Sequence, residues 1–160
     1  MIDIMNESGE KVDEEQLAAL AAFAMDRMRI HPSADLSILL VDETTMANYH
    51  EKFMDEPGPT DVLSFPMDEL RPGEEGKERP EGMLGDIVLC PTVTDRQAKE
   101  SGRTPQGEMN YLLLHGFLHL LGFDHAEEEE RAVMFGLTDA LIDAWESWSR
   151  QKTDQQETRS

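Results

Sequence analysis

The chain has 160 residues, 39% of them hydrophobic and 30% charged, with a formal net charge of −20 and one cysteine. That size suits one soluble domain burying about two-thirds of the surface its unfolded chain exposes, and no apolar stretch approaches the ~20 residues of a membrane span. The lone Cys90 excludes an internal disulfide framework and suits a reducing compartment, and Met1 to Asp13 lack the basic start and apolar run of a secretory signal, so a cytoplasmic location is expected.

In chain order, residues 2–5 read as a short strand. Asp13 opens a helix with Gln16 three residues on, a variant of the capping box, whose buried stripe is Leu17, Leu20, Ala21, Ala24 and Met28. His31-Pro32 ends it. The apolar run Leu36 to Val41 has strand length and reads as central in a sheet. A helix follows from Glu43 to Phe53, stopped by Pro57-Gly58-Pro59. Val62 to Phe65 is a third strand. Residues 68–82, charged and rich in glycine and proline, read as a mobile surface loop, and Leu84 to Leu89 is a fourth strand.

A short helix near Thr94–Ser101 precedes a longer one from Pro105 to Leu121. The last runs from about Ala126 to Trp148, with Val133, Leu137, Leu141 and Trp145 at helical spacing. The fold class expected is α+β: about four strands in a small mixed sheet with about five helices packed on it. Residues 1–148 form a single domain, and 149–160 a disordered polar tail.

Three of the five histidines fall within eleven residues, in the run His115-Gly-Phe-Leu-His119-Leu-Leu-Gly122-Phe-Asp124-His125. Residues four apart share one helical face, so His115 and His119 can reach one ion. Gly122 can take the left-handed conformation that ends a helix and return His125 to the same point. Three imidazoles form a tripod for one zinc ion whose fourth position stays open for water, the arrangement of a catalytic site. Leu112, Leu113, Leu114, Phe117, Leu118, Leu120 and Leu121 would wrap the ligand helix in apolar bulk.

The spacing matches the zinc protease pattern His-Glu-x-x-His-x-x-Gly-x-x-His, which makes this a zincin-like metal helix, but Gly116 stands at the glutamate position. Losing that general base forfeits about 10²- to 10⁴-fold in rate. What remains is a Lewis acid suited to phosphodiester cleavage, where charge stabilisation and positioning do most of the catalysis.

The histidine run resembles the signature His-Gly-x-Leu-His-Leu-x-Gly-Tyr-Asp-His of the YbeY family of rRNA-maturation endoribonucleases, with Phe123 in place of the usual tyrosine. Pro59-Thr60-Asp61-Val62-Leu63-Ser64-Phe65-Pro66 and Leu84-Gly85-Asp86-Ile87-Val88-Leu89 also match in order, as do Gln97-Ala98 and Glu108. The resemblance spans roughly residues 35–125. It implies a zinc-dependent, single-strand-specific endoribonuclease that matures the 3′ end of 16S rRNA and serves ribosome quality control. The implied partners are precursor 16S rRNA, a small-subunit ribosomal protein and a ribosome-associated GTPase, with no DNA and no membrane. It also implies that His115, His119 and His125 are the metal ligands and act in catalysis through the ion. Many members carry an arginine, thought to contact substrate, where this chain has Met54; Arg96, Lys99 and Arg103 are the candidate replacements.

The remaining residues leave alternatives open. Asp124 either orients a histidine through its second ring nitrogen or caps the last helix. Thr60, Asp61 and Ser64 line the cleft or simply start a strand. Asp86 faces solvent or makes a specific bond. His31 and His50 read as surface residues. A metalloprotease would need Glu108 as its base; a non-catalytic ribosome-assembly module would need a fourth ligand to close the zinc site, with Cys90 as the candidate. The charge of −20 opposes the basic footprint usual in nucleic-acid enzymes and points to a docking partner.

Overall fold

The computed structural model describes residues 1–159, and the side chains of residues 1–156. The elements are β1 (Ile2–Asn6), α1 (Glu14–Arg27), β2 (Asp35–Leu40), α2 (Glu43–Met54), β3 (Val62–Pro66), β4 (Met83–Leu89), α3 (Pro91–Ser101), α4 (Pro105–Leu120) and α5 (Glu128–Arg159). Asp13 caps α1 by accepting the N–H of Gln16, and Asp42 caps α2 by accepting that of Thr45.

The strands form one mixed sheet in the order β1-β2-β4-β3. β1, β2 and β4 run parallel, and β3 returns antiparallel to β4 along the edge. The pleat sorts side chains to two faces. Leu36, Ile38, Leu40, Ile87 and Leu89 point to the main core with α1, α4 and α5, whereas Leu63, Val88 and Met46 of α2 pack on the other side. Ser64 pairs in register with Ile87 and shares its face, towards α4. Asp86 lies in register with Ser37, and Ser37 with Asp3, so it joins a polar row on the opposite face. Among the described residues no helix is long and apolar enough to cross a membrane.

Two expectations change. Residues 149–159 continue α5 instead of forming a disordered tail; Ser160 lies outside the described residues. Glutamine, lysine, arginine and glutamate are good helix formers, Lys152 sits over the Trp148 ring at 4.2 Å, and the Thr153 hydroxyl donates to the Ser149 carbonyl. The buried stripe of α5 is Met134, Thr138, Leu141 and Trp145, while Val133 is 55% exposed.

The 68–82 segment is tied down at several points. Asp68 accepts the Met83 N–H at 2.7 Å, Gly73 donates to the Met28 carbonyl, and Pro80 and Gly82 accept from His31 and Asp35.

Candidate metal centre

Thr104 starts α4 by accepting the N–H of Gly107, with Pro105 in the first turn where no N–H is needed. Leucines and Phe117 hold the helix in the core and leave His115 and His119 half-buried on its open face. Gly122, at φ +95°, ends it. Its N–H donates to the His119 carbonyl and that of Phe123 to the Leu118 carbonyl, a Schellman closure. The reversal brings His125 back beside the other two. Ring centroids lie 5.0 Å apart for His115 and His119, 5.7 Å for His115 and His125, and 5.1 Å for His119 and His125. One donor atom from each lies within 4.8 Å of the others, so the three can hold one metal ion.

The electrostatics favour neutral rings at His115 and His119, the form that binds metal. Burial pushes His115 down to about 4, helped by repulsion from His119 and His125 and opposed by Asp61. Burial and His125 likewise lower His119, against Asp124 and the backbone at Phe123. His115 Nδ1 is buried and makes no protein hydrogen bond, an arrangement that is costly in a core and ordinary around an ion. The donor set, three imidazoles at one point, fits zinc.

The cluster opens into a groove of about 940 Å³, bounded by the approach to β3, α4 and the start of α5. Tyr111, one turn before His115, lies nearly parallel to its ring at 6.3 Å, and Phe135 of α5 lies tilted against it at 5.4 Å. Thr60, Asp61 and Ser64 line the groove. Asp61 accepts the N–H of Val62 at 2.7 Å, so it serves the strand start as well. Ser64 donates to the Gly116 carbonyl. A Cβ on Gly116 would lie 3.0 Å from Ser64 Oγ and 3.2 Å from Cγ2 of Ile87 and of Val62. Where zinc proteases carry their base, this helix rests against a strand.

The other sequence candidates separate. Asp124 accepts the N–H of His125 at 2.7 Å rather than bonding an imidazole, and its charge acts on His119. Arg96 is held by Glu43 through two hydrogen bonds, at 2.6 and 3.2 Å, and neither it nor Lys99 lines the groove. Arg103 stacks over Tyr111 and pairs with Glu108 at 3.2 Å. Glu108 is buried and reaches the groove already paired. Cys90 is buried at the start of α3 beside Thr92 and is not one of the metal-site donors. Met54 lines the groove as an apolar residue.

Sequence reading missed three groove residues, His50, Tyr111 and Phe135, and Arg131 beside them. His50 lines the groove, with Nδ1 donating to the Gly58 carbonyl and Nε2 3.3 Å from a Glu56 carboxylate oxygen. Tyr111 carried a signal, one turn before His115. Phe135 and Arg131, whose guanidinium sits 5.4 Å from the Phe135 ring centre, carried none because the phase of α5 was misread.

The family model Endoribonuclease YbeY matches residues 3–146. The Endoribonuclease YbeY of Cutibacterium acnes is 64% identical over 155 residues, covering 97% of this chain and 99% of that protein. That of Thermobifida fusca is 56% identical over 144 residues, 90% and 93% of the two chains. The solution structure of TM1509 from Thermotoga maritima superposes with a TM-score of 0.64 at 25% identity, covering 96% and 95%. With the family model spanning residues 3–146 and relatives 56–64% identical over 90% or more of the chain, the chain belongs to the Endoribonuclease YbeY family.

Proposed function

We propose that the chain is a zinc-dependent endoribonuclease that cleaves single-stranded RNA in the maturation of 16S rRNA and in ribosome quality control. The observation that carries this reading is a three-imidazole cluster opening on a groove, with burial favouring the neutral form of His115 and His119. Among the described residues no fourth protein ligand joins it.

Bound there, zinc supplies Lewis acidity towards a phosphoryl group. The protein's own residues do the rest. His115 and His119 present unprotonated nitrogens, and the rings of Tyr111 and Phe135 pack against His115. Asp61, whose charge reaches His115, places a carboxylate in the groove wall. A peptidase reading lacks support, since Gly116 abuts β3 and Glu108 is tied to Arg103.

A chain of net charge −20 associates slowly with free RNA. We therefore place its action in the cytoplasm on ribosomal particles, docked through a small-subunit ribosomal protein and a ribosome-associated GTPase. The test is His115→Ala and His119→Ala, each assayed for zinc content and for cleavage of precursor 16S rRNA with and without ribosomal particles. Both variants should lose zinc and cleavage together; cleavage by a variant shown to be free of zinc would overturn the reading.

A further inference from the structure

A polyanion entering this groove meets carboxylates at Glu56, Asp61, Glu108 and Asp124, so a cation must receive its phosphates near the histidines. Arg96 is committed to Glu43 and Arg103 to Glu108. Arg131 covers Phe135 from a helix whose first turn holds Glu128, Glu129 and Glu130.

Arg71 differs. Its guanidinium packs directly on Gly122, in the turn between His119 and His125: a Cβ on that glycine would lie 2.6 Å from Arg71 Cζ, 2.8 Å from Nε and 2.9 Å from Nη1. Nη1 donates to the carbonyls of Glu69 and Leu70 at 3.0 and 3.2 Å. Arg71 is paired with no carboxylate among the described residues, and Nε and Nη2 have no hydrogen-bond partner there. The residue is exposed yet held on both sides, by Leu70 packed on the core and by Gly73 bonded to the Met28 carbonyl. A planar fork fixed in this way, with donors left over, is suited to a phosphate.

We propose that Arg71 binds a backbone phosphate of the RNA beside the metal centre. The proposal rests on the reading of the chain as an enzyme of single-stranded RNA. Arginine at this position serves two ends: its carbonyl bonds set the guanidinium, and its remaining N–H groups take the substrate. The absent Cβ of Gly122 is what lets it come so close.

The test uses the zinc-loaded full chain as wild type, Arg71→Ala, Arg71→Lys and Lys99→Ala. Binding of a fluorescent 2′-O-methyl single-stranded oligonucleotide is measured across a salt series, and KM and kcat on unmodified RNA alongside. Arg71→Ala should weaken binding and raise KM on the order of tenfold, with kcat changed less. The slope of log affinity against log salt should fall by about 0.7, the value for one phosphate contact on a single strand. Arg71→Lys should restore part of both, and Lys99→Ala should leave both within about twofold.

Unchanged affinity and salt slope in Arg71→Ala would overturn the proposal. So would weakening that follows loss of zinc, or that Arg71→Lys does not relieve, since either assigns Arg71 to holding the turn. Wild-type protein that binds the oligonucleotide without cleaving RNA would defeat the nuclease reading and leave Arg71 to be judged on the salt slope. Wild-type protein that binds no oligonucleotide defeats the proposal itself.

Discussion

Against the inner side of position 116 stand a serine hydroxyl and two γ-methyl groups of the sheet, so the departure from the protease pattern has a packing reason as well as a chemical one. Gly116→Glu should therefore lower stability by about 1–3 kcal/mol through overpacking, read from the shift in urea midpoint, and should release no fragments from denatured casein. A second prediction concerns protons. In the metal-free protein the folded pKa of His115 is about 4 against an ordinary 6.5. Between those values the unfolded chain binds more protons than the folded one, so stability is highest above the window and falls as pH drops through it. Chelator-treated protein should be less resistant to urea at about pH 5 than at about pH 7, and His115→Ala should reduce that difference; equal midpoints in the wild type would contradict the assignment. At this scale the histidine cluster was legible because i, i+4 spacing and a helix-ending glycine are local rules. Arg71 was not, because its meeting with Gly122 joins residues about fifty positions apart that share no local pattern.

Element boundaries were mostly readable. Capping aspartates, prolines and glycines punctuate the chain, and β2 was recognisable as central from its apolar run. The failures lie in α5. Positions 133, 137, 141 and 145 made a plausible i+4 stripe, but the helix buries 134, 138, 141 and 145. A threonine is read as outward-facing, yet Thr138 hides its hydroxyl by donating it to the Met134 carbonyl. The anchor of this helix is aromatic: Phe23 of α1 meets Trp145 edge-on and Trp148 at a tilt, each at 5.5 Å. Trp145→Ala should accordingly cost about 3–5 kcal/mol. Removing residues 150–160, of which 150–159 extend α5 past that anchor, should change stability by less than about 1 kcal/mol. Thermal melts of the two variants compare them directly, and a truncation as damaging as the tryptophan change would show that the polar extension packs elsewhere.

Across the whole molecule, the sheet order was the least legible feature, since an antiparallel edge strand paired with a later neighbour leaves no trace in either segment alone. The class was readable because apolar periodicity alternates between strand and helix along the chain. Filling the histidine cluster should stabilise the entire domain by mass action, by about 4 kcal/mol when free zinc exceeds its dissociation constant a thousandfold. Calorimetry with zinc and then with chelator should show one transition moving up and returning. The three imidazoles nevertheless come from a single stretch of eleven residues, so an ion bound there would fasten no remote segments to each other. Its loss would free only a short loop. A nascent polypeptide extended just beyond residue 125 already holds every donor, while Phe135, which packs against His115, emerges later. A metal captured by this cluster would thus be able to bind before the cavity is complete during synthesis.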